Sequence, residues 1–355
     1  MRAMIAMSGG VDSSVAARRM LDAGYDCVGC TMRLFDNTDA GLDRKGTCCA
    51  LDDVEDARTV AYRMGIPHYV FNFSEDFREK VIADFTNCYA CGCTPNPCIE
   101  CNRHLKFGRL LERALLLNYD CLATGHYARI EERDGRYLLC RAADTQRDQS
   151  YVLYMLTQQQ LAHLRFPLGG LTKAQVRTIA AENGFGNAQK PDSQDICFVP
   201  DGDYAAAIER LTGKPSAPGD FIDRSGNVLG QHQGIIRYTL GQHRGLGLHW
   251  HEPLYVLRID PAANTVTLGP QEALFSSELT AHPFNWISGE IPAQPVRCTA
   301  KTRYRQAAVP ATAEALDAQT VRVRFDTPQR AITPGQSAVL YHGDEVLGGG
   351  VIVAT

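Results

Sequence analysis

Ser8-Gly9-Gly10-Val11-Asp12-Ser13-Ser14 is a run that can hold an anion. Two glycines let the backbone close around it, and the amides that open a helix, with the helix dipole, attract phosphate. Ser8 and Ser13 offer hydroxyls to phosphate oxygens, and Asp12 is a carboxylate suited to holding Mg2+ beside them. The sequence contains no Gly-x-x-x-x-Gly-Lys-Ser/Thr run. The lysine that approaches a transferred γ-phosphate is therefore missing, which disfavours a γ-phosphate kinase. Thiols offer a second chemistry. Thr94-Pro95-Asn96-Pro97-Cys98-Ile99-Glu100-Cys101-Asn102 puts a cysteine at the mouth of an expected helix, where thiol pKa falls and nucleophilicity rises. Cys101 is the first reactive candidate. Cys197, in Asp192-Ser193-Gln194-Asp195-Ile196-Cys197-Phe198, is the second, although a solitary cysteine is more often a small buried hydrophobe.

The elements that must position these residues alternate between strand and helix. Apolar Met4 to Met7, Tyr25 to Met32, His68 to Phe73 and Cys121 to Thr124 read as strands. Val11 to Leu21, Asp53 to Met64 and Arg103 to Leu117 read as helices. This alternation predicts a parallel sheet wrapped by helices. Asp134-Gly135 between two strand-like runs predicts a hairpin. Thr172 with Gln175 is a capping box, and Gly184 is the stop that follows. From about residue 205 glycines punctuate short strand-like runs, and the remainder reads as all-β. Boundaries are expected near 203 and 277. They divide an α/β domain (1–203) from a central β domain (204–277) and a C-terminal β-barrel-like domain (278–355).

A length of 355 residues with 45% hydrophobic and 21% charged residues fits two or three globular domains. The N-terminal apolar run is too short for a signal peptide or membrane span, so a cytoplasmic location is expected. In a reducing compartment the thirteen cysteines are not structural disulfides. Cys27, Cys30, Cys48, Cys49, Cys121, Cys140 and Cys298 are read as small apolar packing. A net charge of −4 excludes an overall basic grip on nucleic acid. Local clusters such as Arg103, Lys106 and Arg109, Arg237 with Arg244, and Arg297, Lys301, Arg303 and Arg305 read first as solvated surface. His243, His249 and His251 do not form a convincing metal site.

The first loop resembles that of the pyrophosphatase-loop ATPases, which split ATP to AMP and pyrophosphate while adenylating a substrate oxygen. The ordered set of motifs resembles the tRNA-specific 2-thiouridylases of bacteria and organelles. These motifs are the loop, Thr-Pro-Asn-Pro-x-x-x-Cys-Asn, Ala123-Thr124-Gly125-His126-Tyr127, Arg147-Asp148-Gln149-Ser150-Tyr151, Ser-x-x-Ile-Cys-Phe, Tyr238-Thr239-x-Gly241-Gln242 and Pro334-Gly335-Gln336. The likeness runs from Ser8 to Gly350 and implies a Rossmann-like, adenine-nucleotide-hydrolase-type sheet followed by two smaller, mainly β domains. It implies ATP contacts at Ala6, Met7, Ser8, Gly9, Gly10, Val11, Asp12, Ser13, Met32 and Gly125. It implies that Cys197 receives sulfur as a persulfide from an upstream sulfur carrier, that Cys101 helps to release it, and that a transient Cys101–Cys197 disulfide then needs a reductant. The substrate it implies is the wobble uridine of tRNAs for lysine, glutamate and glutamine. Asn96, Pro97 and Cys98 would meet the target base, and His126, Arg147, Asp148, Gln149, Arg303, Tyr304 and Gln336 would meet the tRNA.

The sequence departs from one common form of the family in carrying Cys98 where an aspartate stands. Five cysteines, Cys88, Cys91, Cys93, Cys98 and Cys101, fall within fourteen residues. They leave three arrangements open: metal-free persulfide chemistry, a structural zinc, or a [4Fe-4S] cluster on Cys98, Cys101 and Cys197. Two rival functions remain at this stage. One is a different adenylating pyrophosphatase-loop enzyme. The other is an AMP- or metal-binding RNA-interaction protein, which would release no pyrophosphate on meeting RNA.

Overall fold

Strand β1 (Arg2–Ala6) carries Ala3 and Ile5 to one face and Met4 to the other, all fully buried. A strand apolar on both faces belongs inside a helix-covered parallel sheet. The computed structural model describes residues 1–35, 51–190, 196–199 and 201–354, so Cys48, Cys49 and the run 192–195 lie outside it. β1 pairs in parallel with β2 (Asp26–Arg33) and β4 (Cys121–Ala123). β3 (His68–Asn72) adds beyond β2, and the two-residue β7 (Leu164–Arg165) adds beyond β4. In the order β3-β2-β1-β4-β7 the chain leaves β1 in one direction and returns on its other side, so the crevice at the carboxyl ends of β1 and β4 is the switch point. Helix α1 (Val11–Asp22) starts there, and α2 (Leu51–Arg63) follows β2.

The expected helix at Arg103 starts earlier, at Pro97, and continues to residue 116 through Pro97–Glu100, Cys101–Leu110 and Leu111–Leu116. Its middle is wound in wider π turns. Gly108 suits that winding, because a Cβ there would lie 2.9 Å from the Arg103 carbonyl. A second helix, 74–90, had no counterpart in the sequence reading, and it too has a π stretch at Arg78–Ile82. Hairpin β5 (Arg129–Arg133) and β6 (Arg136–Cys140) turns on Asp134 and Gly135, both at positive φ. The Thr172 capping box forms as expected.

The all-β expectation beyond residue 205 needs correction, because Tyr204–Thr212 is a helix, capped by Asp203 and stopped by Gly213 at positive φ. β8 (Gly219–Ile222), β9 (Val228–His232), β10 (Tyr255–Asp260) and β11 (Thr265–Gly269) then form a sheet in the order β10-β11-β8-β9 around Phe221, Val256 and Leu268. β12 (Phe275–Trp286), β13 (Val296–Lys301), β14 (Val309–Ala315), β15 (Val321–Arg330), β16 (Ser337–His342) and β17 (Glu345–Ala354) pair in the order β12-β15-β14-β13-β16-β17. β17 returns to β12 and closes a barrel with its own core. Hairpin β5–β6 joins this barrel sheet through Glu345 opposite Cys140. The chain is thus an α/β protein, a Rossmann-like parallel-sheet domain followed by smaller, mainly β domains. Among the described residues no helix is long and apolar enough to cross a membrane.

Candidate active site

The loop after β1 is fixed from several sides. Gly9 sits at φ +76°, and a Cβ there would come within 2.4 Å of the Asp53 carbonyl oxygen. The buried amide of Asn187 donates to Gly9 O and to Ser14 Oγ, both at 2.9 Å. Ser13 Oγ accepts from Ser8 N–H at 3.1 Å and donates to Gly10 O at 3.0 Å. The start of α1, at Gly10, has no side-chain cap, so its amides face the crevice with the helix dipole behind them. Gly125, after β4, lies against the same turn, where a Cβ would stand 2.9 Å from Asp12 C and Ser13 N. These close approaches are what glycine permits at both positions.

A cavity of about 370 Å³ opens over this turn, within the roughly 300–1,000 Å³ of small-molecule sites. Ala6, Met7, Ser8, Asp12, Ser13, Met32 and Gly125 line it. Gly9, Gly10 and Val11 belong to the turn but are not among the residues that line the cavity. Pro97, Cys98 and Cys101 enter from the 97–116 helix, and Cys197 enters from the loop ahead of Tyr204. His126 and Gln149 complete the predicted residues present. Cysteines 101 and 197 are thiols, not disulfides.

His126 is buried, its Nδ1 lies 2.7 Å from Thr124 Oγ1, and its ring packs between Phe107 and Phe166. Burial, with the Lys106 charge adding to it, holds its pKa well below the usual histidine range. It therefore faces the cavity as a neutral imidazole. Gln149 is held by Tyr127, whose N–H donates to its Oε1 at 2.9 Å.

Several residues predicted to meet RNA turn out to be committed within the protein. Asp148 Oδ1 accepts from Ala142 N–H and Ser150 N–H, and its Oδ2 accepts from Ser150 Oγ. Arg303 is half-buried and donates to Ala331 O at 2.9 Å, Thr333 Oγ1 at 2.8 Å and Leu240 O at 3.4 Å. Tyr304 packs against the main core, with its ring 5.9 Å from that of Tyr151. Gln336 Nε2 donates to Thr94 O at 2.9 Å and Pro95 O at 3.3 Å, gripping the loop ahead of Asn96. Asn96 does not line the cavity but sits just before Pro97 at the helix start. Arg147 is the exposed member of its motif.

The structure adds residues that the sequence reading passed over or took for surface. Lys106, read as a solvated cation, lines the cavity one π turn beyond Cys101. Asn102 donates to Val152 O at 3.0 Å, and its Oδ1 is buried without a hydrogen-bond partner. Cys30, assigned to packing, is fully buried in the cavity wall, where burial pushes its thiol far up. Cys27, Cys121, Cys140 and Cys298 are buried as expected. The neighbouring Cys88 thiol lowers Cys93 to about 7, and Cys93 together with burial raises Cys88.

Asp12 is the sole carboxylate lining the cavity among the described residues. One carboxylate with hydroxyls nearby fits Mg2+, which takes most of its ligands from phosphate and water. The zinc and cluster arrangements fit less well. Among the described residues no three cysteine, histidine, aspartate or glutamate side chains converge as a metal site requires, although Cys98, Cys101 and Cys197 border one cavity.

Family models place the chain in three consecutive matches: a tRNA methyl transferase HUP domain over residues 1–201, its PRC-barrel domain over 210–270 and an aminomethyltransferase β-barrel domain over 276–352. Among curated relatives, the tRNA-specific 2-thiouridylase MnmA of Acetivibrio thermocellus is 50% identical over 99% of both chains. That of Clostridioides difficile is 49% identical over 99% of this chain and 98% of the other. That of Geotalea uraniireducens is 49% identical over 99% and 94%. NMN synthetase from Francisella tularensis aligns at 18% identity and a TM-score of 0.34, over 61% of this chain and 79% of that one, a likeness too slight to bear on the fold. With half of its residues shared along the full length of such relatives, the chain belongs to the family of tRNA-specific 2-thiouridylases, the sulfurtransferases of tRNA.

Proposed function

We propose that this enzyme thiolates the wobble uridine of tRNAs for lysine, glutamate and glutamine at C2. ATP held at the start of α1 adenylates the 2-oxygen and releases pyrophosphate, so that AMP becomes the leaving group. The outer sulfur of a persulfide on Cys197 then attacks C2 and AMP leaves. The Cys101 thiolate attacks the Cys197 sulfur, breaking the S–S bond so that sulfur stays on C2 and a Cys101–Cys197 disulfide is left for the reductant. The observation that carries this reading is the single cavity. It gathers Ser8, Asp12 and Ser13 from one end of the chain and Cys101 and Cys197 from two others, so an adenylated oxygen and a sulfur donor would meet without a shuttle.

The chain's own residues supply the rest. The α1 amides and Ser8 and Ser13 hold phosphate, neutral His126 presents a hydrogen-bonding edge without adding charge, and Met32, Leu34, Phe77 and Val81 give the cavity an apolar wall. Asp12 would hold Mg2+, which neutralises phosphate charge when bound. In this proposal Cys101 and Cys197 act by metal-free persulfide transfer. An upstream persulfide carrier, a reductant and a cytoplasmic setting complete the proposal. Cys98 lines the cavity where an aspartate stands in one common form of the family, so a thiol would meet the base there.

The test is ATP-dependent formation of 2-thiouridine in unmodified tRNA given a persulfide donor, with pyrophosphate measured alongside. Wild type should form both products. Cys101→Ala and Cys197→Ala should release pyrophosphate without thiouridine. Thiolation by either variant at the wild-type rate would overturn the cysteine roles.

A further inference from the structure

Lys173 opens the helix Lys173–Glu182, and its backbone position is fixed by the Thr172–Gln175 capping box and by its own N–H, which donates to Asp144 Oδ2 at 3.0 Å. From there the side chain, 11% exposed, runs to α1. Its ammonium lies 2.7 Å from Asp12 Oδ1 and 2.8 Å from Oδ2. Tyr127 OH donates to the same carboxylate at 2.8 Å. Asp12 lines the cavity beside Ser8 and Ser13. A largely buried cation thus stands one carboxylate away from the anion cradle, in a loop whose own sequence lacks a lysine.

Fold stability gives this pair little reason to exist, because a largely buried ion pair is often no better for folding than apolar groups of the same size. A phosphate site gives it one. A carboxylate beside polyphosphate is repelled unless a cation lies between them, and an ammonium is a mobile point charge with three donors on a flexible stem.

We propose that Lys173 binds the pyrophosphate end of the nucleotide, its ammonium passing from Asp12 to β- and γ-phosphate oxygens as Asp12 takes up Mg2+. Asp12 exchanges one cation for another, so its carboxylate is never left beside polyphosphate without a counter-charge. It supplies from the 173–182 helix the lysine that the loop lacks. The proposal rests on the adenylation reading above and adds to it the residue that holds the leaving pyrophosphate.

Calorimetric titration with AMP, pyrophosphate and α,β-methylene-ATP, with and without Mg2+, tests it on wild type, Lys173→Gln, Asp12→Asn and the double variant. Lys173→Gln should bind AMP as wild type does, which also certifies its fold. It should bind pyrophosphate and the analogue about tenfold more weakly, the loss of one charge-assisted contact. Without Mg2+, Asp12→Asn should bind pyrophosphate about tenfold more tightly than wild type, because the ammonium no longer has a competing carboxylate, and the double variant should lose that gain. If Lys173→Gln fails to fold, Asp12→Asn against wild type still decides, because no gain in pyrophosphate affinity there would overturn the proposal. Pyrophosphate affinity unchanged in Lys173→Gln, or a gain that persists in the double variant, would overturn the proposal and leave adenylation intact. Wild type binding neither pyrophosphate nor the analogue would instead bring down the adenylation reading, and this proposal with it.

Discussion

Replacing Gly335 by alanine should damage the active site from within the C-terminal barrel. Gly335 has φ +88°, and its N–H is anchored to Ile352 O at 3.0 Å, so the residue cannot back away. A Cβ there would lie 2.9 Å from both Thr94 N and Thr94 O and 3.0 Å from Cys88 Sγ. Left-handed backbone costs alanine about 1–2 kcal/mol, and forcing an extra methyl into packed backbone costs about 1–3 kcal/mol more. Gly343 is the control. It also has positive φ, at +58°, but a Cβ there meets nothing within 4 Å, so Gly343→Ala should show the backbone cost alone. Urea denaturation of the two variants should therefore differ by about 1–3 kcal/mol at similar m. Because Thr94 precedes the start of the helix that carries Cys98 and Cys101, a shift of about 1 Å should cut the thiolation kcat of Gly335→Ala by about 100-fold while it is still folded. Gly343→Ala should keep it. Equal destabilisation of both variants with normal thiolation by Gly335→Ala would refute the reasoning.

Burial holds the pKa of His126 well below the usual range, so the unfolded chain takes up a proton there first as pH falls below about 6.5. A group lowered in the folded state stabilises above its unfolded pKa and loses that contribution as pH falls. Unfolding midpoints should drop from pH 7 to 5.5, and His126→Gln should flatten the slope; an unchanged slope would remove His126 as its source. Arg303→Ala should lower stability by about 1.5–3 kcal/mol through its three internal acceptors, with the salt dependence of tRNA binding unaltered. Exposed Arg147→Ala should instead reduce that dependence by about one unit of slope, and filter binding across salt checks both. Cys93, lowered to about 7 by Cys88, should alkylate at neutral pH before Cys27, Cys140 and Cys298, which burial pushes up to about 11; peptide mass spectrometry reads the order.

What the sequence made legible was mostly local. The loop from Ser8 to Ser14, the Asp134-Gly135 hairpin and the Thr172 box each depend on residues within one turn of chain, so their types and spacing carry the information. The polar partners were not legible in this way. Arg303, Asp148 and Gln336 look in sequence like surface groups ready for RNA, and only the fold reveals acceptors at Leu240, donors at Ala142 and carbonyls at Thr94. Asn187 and Lys173 went unnoticed for the same reason, since their partners are Gly9 and Asp12 at the opposite end of the first domain. The missed helix 74–90 has a π stretch, but so does the legible helix 97–116, so that winding does not account for the miss. Tyr204–Thr212 lies beside the glycine-rich texture that suggested strands throughout.

The barrel is therefore part of the frame that holds the cavity. Pro334 O accepts from Thr94 N–H at 3.0 Å, and Gln336 grips the next two carbonyls. One residue onward, Ser337 O accepts from Tyr151 OH at 2.8 Å, and its hydroxyl donates to Tyr154 Oη at 3.1 Å. These contacts fix both the segment entering the Cys101 helix and the Gln149–Val152 wall of the cavity. Backbone carbonyls make rigid partners because they lack the rotamer freedom of side chains. A barrel that shifted on binding tRNA would consequently move the Cys101 side of the cavity, while Ser8 and Asp12, held by the parallel sheet, stayed in place. The barrel and the Cys101 side of the cavity are thus mechanically joined through residues 94–96.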